Sequence, residues 1–223
     1  MDELDFISAL HKTTQRDYLA RVNDPIYPKA KAANLAKKYD FDYWDGDRRI
    51  NYGGYRYIPG RFTKLANKII NIYKLFNKKK ILDVGCGKGF LIYEIKKLLP
   101  GIEIHGLDIS KYAIQKSKKE IKKYLKQGNA NRLPYNSNYF DLVISINTLH
   151  NLDLENLFKS LKEISRVTKK NAYICVESYR NEIEKTNLLY WQVTCEAFFS
   201  PLEWKWIFKQ TGYKGDYSFI YFN

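Results

Sequence analysis

The chain has 223 residues, 45% of them hydrophobic and 16% aromatic, and a formal net charge of +14. That length fits one domain with an appendage or two small ones, and the composition excludes disordered, collagenous and low-complexity chains. No apolar run reaches the roughly eighteen residues of a membrane span. The N-terminus lacks the basic-then-apolar pattern of a secretion signal. Three cysteines, Cys86, Cys175 and Cys195, have no metal-ligand spacing. They argue against a disulfide scaffold or metal site and for a reducing cytoplasm.

The charge invites a nucleic-acid reading. Only nine of the 38 basic residues are Arg, however, and Lys is abundant together with Asn, Ile and Tyr, as AT-rich codon usage would produce. Lysine runs such as 78–80 and 118–119 fall at element ends or on solvated helix faces. Nucleic acid is therefore not the expected partner.

In chain order, Leu4, Ile7, Leu10 and His11 fall at helical spacing and predict a helix through the first twenty residues. Asp24-Pro25 and Tyr27-Pro28 break it. A second helix is predicted over 29–38, then an aromatic, glycine-bearing segment over 39–61, then a helix over 62–76. After Lys80 short apolar runs alternate with amphipathic stretches. Strands are predicted at 81–84, 102–107, 140–146, 172–176 and 217–222. Helices are predicted at 90–99, 111–125 (with Ser110 as N-cap), 154–167 and 201–210. Strands separated by helices imply a parallel sheet covered on both faces. The expected division is a helical extension over 1–78 and an α/β core over 79–223, with an insertion at 177–200.

The central signal is Asp83-Val-Gly85-Cys-Gly87-Lys-Gly89, between a strand and a helix. Gly85 and Gly87 permit torsions and a close ligand approach that a Cβ would block, and Gly89 permits tight packing where the helix starts. Such a loop could cradle a dinucleotide pyrophosphate, but Asp83 would repel it. Asp108 ends the second strand, 23 residues after Gly85, where a carboxylate accepts both ribose hydroxyls. A phosphate-free nucleoside with a cationic tail satisfies both carboxylates.

Ile81-Leu-Asp-Val-Gly-Cys-Gly-Lys-Gly89 resembles motif I of the class I S-adenosylmethionine-dependent methyltransferases. Leu107-Asp108-Ile109-Ser110 resembles their ribose-binding motif. Gly128-Asn-Ala-Asn-Arg-Leu-Pro-Tyr135 resembles the adenine segment, and Phe140-Asp-Leu-Val-Ile-Ser with Leu149-His150 resembles the fourth motif. Glu163-Ile-Ser-Arg-Val167 matches the helix before the fifth strand. The ordered set spans 79–178 and is similar to small-molecule cores of the type 11 or type 25 kind.

This resemblance implies a Rossmann-like, mostly parallel sheet of six or seven strands, methyl transfer, and S-adenosylmethionine as cofactor. It places cofactor contacts at Asp83, Gly85, Cys86, Gly87, Gly89, Asp108, Ile109, Asn129, Ala130 and Asn147. The Cys86 side chain itself reads as a small filler. Two departures stand out. Asn129 occupies a usually acidic place, and only a dozen residues follow Thr211, where the family has a two-strand hairpin. One edge strand, or an edge completed differently, is expected there.

For the acceptor, the fourth strand is followed by Ser145-Ile-Asn147-Thr instead of the Asn/Asp-Pro-Pro-aromatic motif of adenine and glutamine methyltransferases. There is no Pro-Cys nucleophile and no glutamate pair of the arginine type. Trp44, Tyr52, Tyr55 and Tyr57, interleaved with charges and glycines, read as a lid over a polar substrate. Tyr179 is added from the 177–200 insertion, which should form a pocket wall. Arg61 is the candidate partner for the methionine carboxylate, because a guanidinium grips a carboxylate bidentately.

His150 is the first candidate base, with His11, Glu177 and the tyrosines behind it, while His105 reads as structural. The expected function is methylation of O or N on a small polar metabolite, with a sugar or sugar nucleotide as the preferred acceptor, by a monomer or homodimer. An RNA methyltransferase and a non-catalytic cofactor-binding subunit are the rival readings.

Overall fold

Six strands form one sheet: β1 (Lys80–Val84), β2 (Glu103–Asp108), β3 (Leu125–Gln127), β4 (Phe140–Ile146), β5 (Thr168–Glu177) and β6 (Asp216–Ile220). The structure, a computed structural model, describes residues 1–7, 16–51 and 56–223. The strand order is β3-β2-β1-β4-β5-β6, and every pairing is parallel. The order reverses between β1 and β4, so a crevice opens at the carboxyl ends of these strands. Asp83 pairs in register with Gly106 on one side and Ile144 on the other.

Both faces are buried, which explains the nearly continuous apolar strands. Ile81, Ile104 and Ile144 face one core with helices α4 (Thr63–Ile72) and α5 (Phe90–Leu98). Leu82, Val84 and Val143 face another with α8 (Leu154–Val167) and α10 (Pro201–Thr211). In α8, Leu157, Leu161 and Ile164 recur at helical spacing, and Asp153 caps the helix by accepting from Asn156 N at 2.8 Å. Ser200 and Glu203 make a reciprocal capping box on α10, whose Trp204 is fully buried. Its indole donates to the Glu177 carbonyl at 3.0 Å, fixing the end of β5. Replacing Trp204 with Ala should cost about 3–5 kcal/mol.

The helical N-terminal part is present as α1 (Tyr18–Asn23), α2 (Lys29–Ala36) and α3 (Phe41–Trp44). The remaining α-helices among the described residues are α6 (Lys111–Gln115), α7 (Lys119–Lys122) and α9 (Glu182–Trp191). Several expectations need correction. Residues 1–7 are not helical; Glu3 bridges Tyr217 in parallel, with Leu4 N donating to Tyr217 O at 2.8 Å. Leu10 and His11 lie outside the described residues. The helix expected over 111–125 breaks after Gln115, and Leu125 begins β3, paired with Gly106. The helix expected over 62–76 ends at Ile72, since Lys74 adopts a positive φ of 49°. The expected hairpin departure resolves into β6 alone, parallel to β5, with residues 2–4 along its outer side.

Candidate active site

β1 delivers the glycine loop to the crevice. Gly85 and Gly87 have φ of 80° and 54°, which side chains rarely adopt. A Cβ on Gly85 would stand 1.9 Å from Thr148 Oγ1, and one on Gly87 2.5 Å from the Trp44 ring. Gly89 serves as the N-cap of α5. The loop is tied to β2 by Gly85 N donating to Leu107 O at 2.7 Å. The Cys86 sulfur would meet a Cβ on Gly106 at 2.7 Å, so it fills the gap between loop and β2. Burial pushes its thiol pKa well up, consistent with a filler and not a nucleophile.

Asp108 Oδ2 accepts from Gly87 N at 2.7 Å and Oδ1 from Ser110 N at 2.8 Å. Burial raises its pKa while the two backbone N–H groups pull against that rise. Each oxygen keeps acceptor capacity beyond its one backbone bond. Burial, with the nearby Asp108 charge, pushes Asp83 up to about 7.

Two cavities share walls here. The larger, about 340 Å³, is lined among others by Asp83, the loop, Arg61, His150, Glu177 and Gln192. The smaller, about 120 Å³, is lined by Asp108, Ile109, Asn129, Ala130 and Thr148. Tyr43, Trp44, Gly85, Asn147 and Asn151 line both. Asn147, at φ 56°, turns the chain at the end of β4. The segment around Asn129 is held from α8: Arg166 donates to the carbonyls of Leu133 and Tyr135, and Glu163 accepts from Leu133 N at 2.7 Å.

The segment around α3 is strapped to the loop. Trp44 Nε1 donates to Ser110 Oγ at 2.9 Å and Tyr39 O at 3.1 Å. Asp45 accepts from Lys88 Nζ at 2.6 Å and from the Tyr112 hydroxyl at 2.9 Å. Burial opposes ionisation of Asp45, but these bonds and the Lys88 charge hold its carboxyl below the usual range.

Of the sequence-predicted residues, Asp83, Gly85, Cys86, Gly87, Asp108, Ile109, Asn129, Ala130, Asn147, Arg61, Trp44 and His150 all line one cavity or the other. Gly89 and Tyr57 do not; the Tyr57 hydroxyl donates to Glu94, which lines neither cavity. Nor does Tyr179, although Trp191, Gln192 and Thr194 of the same insertion do. Tyr52 and Tyr55 lie outside the described residues. Lys88, Thr148, Asn151 and Arg16 were not foreseen. Lys88 was readable as the one cation inside the loop motif, whereas Arg16 carries no local signal.

Comparison with known proteins agrees with this geometry. A family model described as a methyltransferase domain matches residues 75–212, and the chain belongs to that family. The chain is 32% identical over 130 residues to a tRNA (carboxymethyluridine(34)-5-O)-methyltransferase of Arabidopsis thaliana, covering 58% of this chain and 31% of the relative. It is 30% identical over 94 residues to a malonyl-[acyl-carrier protein] O-methyltransferase of Legionella pneumophila, covering 40% and 33%. The match thus spans about a third of the length of each of these relatives. The YcgJ protein of Bacillus subtilis has a similar fold, with TM-score 0.54 and 19% identity over 66% of both chains. Residues 75–212 thus form a methyltransferase domain, built on the Rossmann-like sheet of the class I fold. No helix among the described residues is long and apolar enough to cross a membrane.

Proposed function

We propose that the chain binds S-adenosylmethionine across the two cavities and methylates O or N of a small polar metabolite held in the larger one. The carrying observation is the pairing of the cavities around Trp44, Gly85 and Asn147. The smaller offers acceptors for a nucleoside: Asp108 for ribose hydroxyls and the Asn129 amide oxygen for an adenine amino group. The larger offers Asp83 for an ammonium and Arg61 for a carboxylate, the two ends of an amino-acid tail. When bound, the cofactor supplies an electrophilic methyl on sulfur.

The protein's share is placement and exclusion of water. Trp44, Tyr43 and the strap close over the loop, which favours an in-line displacement by positioning and desolvation. A sugar or sugar nucleotide is one acceptor of this class. Three free thiols suit a reducing compartment such as the cytoplasm. An RNA acceptor is the second reading, favoured by the +14 charge and the tRNA enzyme among the relatives.

Titration calorimetry with S-adenosylhomocysteine and with NAD tests the reading. Binding of the former, with a raised Tm and no comparable binding of NAD, is expected. Equal binding of NAD would sink it.

A further inference from the structure

Buried polar atoms without hydrogen-bond partners are costly, so a place where several converge calls for a ligand. Among the described residues, Arg16 Nε, Asn151 Oδ1, Glu177 Oε2 and Gln192 Oε1 are such atoms, and all four side chains line the larger cavity. Glu177 is only 7% exposed. Its carboxylate is held by Gln192 Nε2, which donates to Oε1, and its backbone N–H donates to His150 Nδ1 at 3.3 Å.

That last bond decides between the two candidate bases. With Nδ1 accepting, the neutral His150 ring carries its hydrogen on Nε2, which faces Glu177 Oε2 at 3.5 Å. Burial drives the His150 pKa down to about 3, so the ring stays neutral and has no lone pair left for an acceptor's proton. His150 is a positioning residue. Burial, against the pull of Arg16 and Gln192, pushes Glu177 up to about 8 in the empty site; a bound ammonium favours the charged form, and the carboxylate it stabilises is a competent base.

The chemistry of the unpartnered atoms selects the acceptor. Gln192 Oε1 and Asn151 Oδ1 accept hydrogen bonds, and Glu177 Oε2 has acceptor capacity beyond the long 3.5 Å approach of His150 Nε2. A hydroxyl brings one hydrogen; an ammonium brings two or three. Arg16, stacked 4.6 Å from the Phe222 ring centroid, adds a guanidinium to the same lining, which fits an anionic group.

We propose that the acceptor is a small amine that also carries an acidic group, with its ammonium on Glu177 and Gln192 and its anionic end on Arg16, and that Glu177 takes the ammonium proton. This rests on the methyl-transfer reading above. The N–H bond breaks with its electron pair left on nitrogen and the proton on Glu177. The nitrogen pair then forms the bond to the methyl carbon, while the pair of the broken carbon–sulfur bond stays on sulfur.

The test uses the full chain saturated with S-adenosylhomocysteine and three probes of matched size: 3-aminopropanoate, 3-hydroxypropanoate and propylamine. Binding is read by titration calorimetry and by the shift in Tm. The zwitterion should bind roughly tenfold or more tighter than either analogue, and Glu177→Gln should remove that advantage. S-Adenosylhomocysteine affinity should stay within about twofold in the variant, because Glu177 is not among the residues proposed above to hold the cofactor. Gln192→Met should weaken the zwitterion on its own, which covers the case in which Glu177→Gln does not fold. Preference for the hydroxy acid, indifference to Glu177, or no binding of the zwitterion overturns the proposal. Failure of S-adenosylhomocysteine itself to bind would instead remove the reading beneath it.

Discussion

Asp108 is bound by two backbone N–H groups, so its carboxylate both shapes the glycine loop and faces the smaller cavity. Asp108→Ala should weaken S-adenosylhomocysteine by about 1.5–3 kcal/mol, the scale of hydrogen bonds to charged groups. Calorimetry showing unchanged affinity would remove Asp108 from the ribose site. Glu177 makes a different kind of statement. Its folded pKa, about 8, lies above the ordinary 4.5, so its protonation favours the fold at low pH and that stability is lost as pH rises toward 8. Glu177→Gln removes this loss. Its Tm relative to the parent should climb between about pH 5 and pH 8, by an amount worth on the order of 1–3 kcal/mol. A flat difference across that range would mean that the carboxyl is not strained by burial. A binding group that destabilises its own fold is what a site, as opposed to a core, is expected to contain.

At the scale of elements, the strap around α3 holds two anchors: the Trp44 indole on Ser110, and Asp45 between Lys88 and Tyr112. Asp45→Ala leaves Lys88 buried without its carboxylate, so the strap should loosen by a few kcal/mol, roughly the cost of an unpaired buried charge. Limited proteolysis between residues 40 and 60 should then quicken, and added S-adenosylhomocysteine should slow it again. Cleavage unchanged by the substitution would show that other contacts hold the strap.

Elements also mark what could be read from the chain. The loop and Asp108 were legible because the torsions of Gly85 and Gly87 and the end of β2 are set within a few residues. β3 was not, since Leu125-Lys-Gln127 is too short for a pattern and exists only by pairing with Gly106–Asp108. Arg16 and Gln192 were illegible as partners. They line one cavity because α9 returns against α1, where Tyr18 and Arg21 pack on Trp191. Tyr57 failed for the opposite reason: its composition suited a lid, but Glu94 on α5 offered its hydroxyl an acceptor.

Across the whole molecule, many lysines answer local acids. Lys37 pairs with Glu196, Lys79 with Asp141, Lys97 with Glu94 and Lys159 with Glu155, at separate places on the fold. Charge arranged this way gives weak, diffuse attraction for a polyanion. Single-stranded RNA should bind weakly near physiological salt without saturating at one site. A discrete site whose affinity falls steeply with salt would favour the RNA acceptor.

The bridge between Glu3 and Tyr217 also bears on the order in which the molecule is made. The amide of Asp2 donates to Asp216, 214 residues away. A ribosome adding roughly 5–20 residues per second leaves Asp2 waiting on the order of ten to forty seconds for that partner. β5 is complete at Glu177 and β6 begins at Asp216, so for roughly two to eight seconds of that wait β5 presents an unpaired parallel edge, the kind of template on which nascent chains associate. Arrival of β6 ends the exposure, and only then can residues 2–4, made long before it, dock along its outer side.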